Sequence, residues 1–154
     1  MDGIVLLKGD HKTVEKQFEK AGEDAHAEKR KIADKVIHEL TTHTWIEEKI
    51  FYSAAREAAP DTKDHVLESI EEHHVVLWML SELKDLDASD ERFDAKMSVL
   101  MDSVRHHVEE EEKEWCPDVR KAMGRNRLTE LGEQMEAAKK KAPGEPLAVP
   151  SAKD

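Results

Sequence analysis

The sequence predicts an all-α protein: an up-down-up-down four-helix bundle with a short extra C-terminal helix. Three observations carry this. The chain is rich in Glu, Lys, Ala and Leu but holds only 6 glycines and 5% aromatic residues, a composition that favours helices over sheets. Apolar residues recur at alternating spacings of three and four along four long segments, the mark of helices with one buried stripe. Short turn signals separate those segments, and short connections make successive helices antiparallel neighbours. A length of 154 residues fits one domain.

In chain order, the first helix is expected from Ile4 to Ala21, ending at Gly22. The second runs from Ala25 to Ala59 and is stopped by Pro60, which cannot continue a helix. The third starts with Asp61 as N-cap, with Asp64 as the acidic partner of a capping box, and ends near Leu86. The polar stretch Asp87-Ala88-Ser89-Asp90 forms a turn before a fourth helix from Glu91 to Met123, which ends at Gly124 and is kinked or broken at Pro117. These segments make residues 1–124 the bundle. Residues 125–154 hold a short fifth helix over Leu128 to Lys141 and a tail, disordered from Ala142, with three prolines and a glycine.

Charge excludes some roles. With 38% charged residues and a net charge of −11, the surface repels nucleic acid and anionic lipid. No apolar run approaches the roughly 20 residues that span a bilayer. Ile4 to Leu7 is too brief for a signal-peptide core, and the lone Cys116 cannot form an internal disulfide, so a cytoplasmic location is expected.

The stripes hold an anomaly. They read Ile4, Leu7, His11, Val14, Phe18 in the first helix; Val36, Leu40, His43, Glu47, Ile50, Ala54 in the second; Val66, Ile70, His73, Leu77, Leu80 in the third; and Phe93, Met97, Leu100, Val104, His107, Glu111 in the fourth. Each helix puts one histidine on its core-facing line, and in the second and fourth helices that line continues with a glutamate at i+4, Glu47 and Glu111. Scattering 9 histidines at random over stripes of about two positions in seven would put roughly two or three there, so one per helix is only a modest excess. The paired His-x-x-x-Glu spacing is the sharper signal. Four imidazoles and two carboxylates in an apolar interior cost several kcal/mol per uncompensated charge. A metal cluster offsets that cost: the carboxylates neutralise the cation and the imidazoles supply nitrogen. The heights agree approximately, although the first helix fits least well and leaves the loop around Gly22 to absorb the difference. His106 with Glu110 has the same i+4 spacing; His107 with Glu111 is preferred because it continues the Phe93 to Val104 stripe. His26, His38, His65, His74 and His106 fall off the stripes. Glu48, Glu109, Glu110, Glu112 and Glu114 read as a solvated acidic face, one of Glu109 to Glu112 being a candidate second hydrogen-bond partner for a ligating imidazole.

At these residues the chain resembles the hemerythrin-like family, the HHE cation-binding domains, over about residues 4 to 123. The strings are Gly9-Asp10-His11, His43-Thr44-Trp45-Ile46-Glu47-Glu48, Glu71-Glu72-His73-His74 and His107-Val108-Glu109-Glu110-Glu111 running to Pro117. The resemblance implies an oxo- or hydroxo-bridged non-heme di-iron centre spanned by the two glutamates, with histidines as terminal ligands; manganese or zinc suits the same donors. It further implies a small diatomic ligand or peroxide as partner. The expected function is oxygen, redox or iron sensing, storage or a stress response through reaction with oxygen, peroxide or nitric oxide; the alternative is an enzyme that decomposes hydrogen peroxide or reduces nitric oxide. The chain departs from the oxygen-carrying hemerythrins of invertebrates, whose third helix gives two histidines four apart. Here Ser69 and Leu77 flank His73 at that spacing, which leaves one iron short of a terminal ligand unless water or a side chain such as Tyr52 supplies it.

Overall fold

The computed structural model describes residues 1–23 and 28–149. Helix α1 spans Gly3–Glu23, slightly past its expected end; the second helix's expected start at Ala25, with His26, lies outside the described residues. Helix α2 spans Lys29–Ile46 and passes through one π-helical turn, Glu47–Phe51, into α3, Tyr52–Ala58. Helix α4 spans Lys63–Lys84. Helix α5, Phe93–Glu110, passes through a second π turn, Glu111–Trp115, into α6, Cys116–Met123. Helix α7 spans Arg125–Lys139. No strand occurs among the described residues.

The four rods α1, α2–α3, α4 and α5–α6 surround a core built from the predicted stripes. Ile4, Leu7, Phe18, Val36, Val66, Leu80, Phe93 and Leu100 are almost wholly buried, while the stripe's Ile50 is only partly so. Several boundaries move for local reasons. Pro60 opens a short 3-10 turn, Pro60–Thr62, so α4 starts at Lys63 with Thr62 before it. The Asp61 cap is not made; the Thr62 hydroxyl donates to the Ala59 carbonyl and accepts from the Trp115 indole instead. Asp87 and Asp90 fold back on the amides of Ser89 and Arg92, which delays α5 to Phe93. Gly124, at φ 82°, provides the positive-φ backbone that lets the chain reverse at once into α7.

Helix α7 lies across α1 and α2. Its Gly132 accommodates the chain's start: a Cβ there would sit 1.9 Å from the Met1 carbonyl oxygen. The segment expected to be disordered instead runs along α4 as far as Val149, with Pro146 and Val149 buried and Glu145 paired to Lys84; the expectation for 150–154 lies outside the described residues.

Candidate metal centre

The stripe residues converge. His11 from α1, His43 from α2, His73 from α4 and His107 from α5 are buried, and Glu47 and Glu111 are wholly inaccessible at 0%. The histidines form two pairs. The Nε2 atoms of His11 and His43 are 3.2 Å apart, and the rings of His73 and His107 meet edge-on at 5.0 Å between centroids. The glutamates lie between the pairs. Glu47 Oε1 is 2.9 Å from His43 Nε2 and 3.4 Å from His73 Nε2. Glu111 Oε1 lies 3.6 Å from His11 Nε2, while its Oε2 lies 3.1 Å from His107 Nε2. Donor atoms of His11, His43 and Glu111 fall within 4.8 Å of one another, as do those of Glu47, His73 and His107.

Every imidazole is held from behind by a carboxylate. His11 Nδ1 donates to Glu112 at 2.6 Å, His43 Nδ1 to Asp10 at 2.9 Å, His73 Nδ1 to Glu48 at 2.9 Å and His107 Nδ1 to Glu72 at 2.7 Å. Such bonds fix each ring's tautomer and turn Nε2 inward, the second layer that orients metal-binding histidines. Only Glu112 was among the residues singled out for this role. Glu48, read as part of a solvated face, is 4% exposed. Asp10, Glu48 and Glu72 each adjoin a stripe histidine or glutamate in sequence, and that adjacency was the available signal. Asp10 also accepts from Lys139 at 2.5 Å, which ties α7 to the cluster.

The π turns follow directly from the two glutamates. Tyr52 N–H donates to the Glu47 carbonyl and Cys116 N–H to the Glu111 carbonyl, each spanning five residues rather than four. One residue is thereby inserted in the winding. At about 100° per residue, Tyr52 would otherwise sit roughly 140° around the helix from Glu47; the insertion reduces this to about 40°. The buried Tyr52 phenol thus reaches the cluster, 3.2 Å from His73 Nε2 and donating to Glu111 Oε2 at 3.2 Å. Burial, together with the Glu111 and Glu47 charges, holds it un-ionised. Cys116 is the counterpart in the other rod, and burial and the same two charges push its thiol up.

The electrostatics suit a cation. Burial alone would depress the His43 imidazole, but the Glu47 charge and Asp10 raise it to about 10. Burial would raise Glu47, yet His43 and His73 hold it well below the usual carboxylate range. A metal ion binding such donors displaces any protons they hold, so its affinity falls as pH falls. Among the described residues, seven buried side-chain nitrogen or oxygen atoms lack a hydrogen-bond partner. Four of them are here: both Glu47 oxygens, Glu111 Oε1 and His107 Nε2. Inward nitrogens and carboxylate oxygens without hydrogen bonds are the donors that zinc, iron or manganese takes.

The family model described as the hemerythrin HHE cation binding domain matches residues 2–119. The chain belongs to this hemerythrin HHE family. The fold agrees with that of a solved hemerythrin HHE cation binding domain-containing protein from Mycobacterium kansasii, at a TM-score of 0.78 and 24% identity over 92% of this chain and 86% of that one. No curated protein matches the sequence. As an HHE domain the chain is a metal-cation-binding protein, and no described helix is long and apolar enough to cross a membrane.

Two hollows adjoin the centre of this hemerythrin-like domain. A cavity of about 30 Å³ touches all four histidines and is otherwise lined largely by apolar groups including Val14, Val76, Val104 and Val108. An open cleft of about 330 Å³ between α1 and α5 shares His11, Val14, Val104 and Val108 with it.

Proposed function

We propose that this hemerythrin-like domain binds two metal ions, iron by preference, in a site that binds or reacts with oxygen, peroxide or nitric oxide. His11, His43 and Glu111 hold one ion; Glu47, His73 and His107 hold the other. The observation that carries the reading is Glu111: its two wholly buried oxygens face opposite histidine pairs, as a bridging carboxylate requires. The iron pair, when bound, supplies the redox and ligand-binding chemistry. The protein's residues do the rest. Glu112, Asp10, Glu48 and Glu72 orient the imidazoles. The valine-lined cavity excludes large and charged solutes, and its volume suits a diatomic molecule or peroxide. Cytoplasmic sensing, storage or stress protection is the setting we infer.

Tyr52 favours a second reading, the enzyme. It places a protonated group beside His73 and Glu111, so a proton donor for peroxide decomposition or nitric oxide reduction is within the site. The same phenol is the side chain best placed to complete the ligand set. Reaction with peroxide decides between the two readings: sustained gas evolution supports the enzyme, and a stable spectral change supports the sensor or carrier. His73→Ala and Glu111→Ala should lose metal. Full metal content in both would sink the ligand assignment.

A further inference from the structure

We propose that Glu72, His106 and Glu110 form a second cation site, on the surface beside the inner centre, which takes zinc, manganese or ferrous ions. His106 and Glu110 are a second His-x-x-x-Glu pair within α5, left over once His107 and Glu111 face the core. His106 Nε2 lies 3.1 Å from Glu110 Oε1. Two donors bound at roughly 2.1 Å to one ion stand about 3.0–3.5 Å apart, so this pair already has the spacing of a chelate. Glu72 from the neighbouring α4 adds a third donor, and donor atoms of all three residues lie within 4.8 Å of one another.

An exposed His–Glu pair one turn apart is common as a weak surface ion pair. Glu72 makes this one different. It reaches across from another helix and is held in place by His107 Nδ1 at 2.7 Å, so its position is set before any ion arrives. It therefore belongs to both layers, since the residue that joins the surface group also orients an inner imidazole. His106 is 68% exposed, Glu110 30% and Glu72 27%, which leaves the site open to solvent and free to keep water as remaining ligands. Nitrogen with two carboxylates suits borderline divalent ions rather than calcium or copper(I). The net charge of −11 raises the local concentration of such ions.

The test uses the full chain, purified with its inner metal. Wild type, His106→Ala and Glu110→Gln are dialysed against the same free Zn²⁺, and in parallel against Mn²⁺ with free ion counted by its electron paramagnetic resonance signal. Wild type should take up one more ion per chain than either variant, with inner metal content equal in all three. Equal uptake would overturn the site. Loss of inner metal in His106→Ala would assign His106 and Glu110 to the inner cluster and overturn it as well.

Discussion

Replacing Asp10 by Asn removes one charge from behind His43 and, with it, the acceptor for Lys139. Asp10 Oδ2 accepts from His43 Nδ1 at 2.9 Å, and its side chain is 12% exposed. An asparagine carbonyl can accept the same bond, so ring orientation survives; the negative charge that makes the imidazole a stronger donor does not. Second-layer losses typically weaken metal binding by about 10–100-fold, or about 1.4–2.8 kcal/mol. Burial keeps salt from screening that charge, so the upper half of the range is expected. Lys139, on the other oxygen of Asp10, is 31% exposed; Lys139→Gln should cost no more than about 1 kcal/mol, less than fivefold in affinity. Zinc competition against a chromophoric chelator measures both. Affinity of Asp10→Asn within twofold of wild type, alongside a large loss in His43→Ala, would refute the charge argument and reduce Asp10 to a structural anchor for α7.

Further outcomes follow from particular contacts. Gly132→Ala drives a methyl into the Met1 backbone and should cost about 1–3 kcal/mol, seen as a lower thermal midpoint with metal content retained; an unchanged midpoint would mean α7 packs elsewhere. Tyr52→Phe removes the donor to Glu111 Oε2, should cost about 1–3 kcal/mol in the metal-free protein, and should alter the visible spectrum of the iron form; an identical spectrum would remove Tyr52 from the site. Val104→Phe fills the small cavity and should slow azide binding to the iron form at least tenfold without loss of metal; an unchanged rate would place the ligand's path elsewhere. Cys116 is buried and its thiol is pushed well above the ordinary range. Iodoacetamide at pH 8 should therefore spare it in the folded protein and label it in denaturant, and rapid native labelling would contradict its burial.

The bundle and the six inner residues were legible because both rest on one signal, the period of the apolar stripe. A histidine that interrupts such a stripe must face the core. His107 is buried and His106 exposed, which favours His107 with Glu111 as the inner pair. The π turns were not legible: an inserted residue changes the winding without changing composition. Tyr52 stayed ambiguous for that reason, its position being wrong by about 100° in an unbroken helix. The carboxylates behind the rings were hidden among many acidic residues, and only packing separates Glu48 from a solvated neighbour. The Asp61 cap failed because Pro60 favoured a 3-10 turn and Thr62 had another partner. Composition alone did not reveal that Pro146 and Val149 are buried in the described part of the tail.

The central claim is that His11, His43 and Glu111, with Glu47, His73 and His107, would hold two metal ions rather than close a polar core. Metal analysis of protein loaded anaerobically with ferrous iron and then desalted tests it most directly. The account predicts two irons per chain, one for each cluster of His and Glu donors, falling to near zero in Glu111→Ala. Folded wild-type protein that retains no metal after such loading would contradict it.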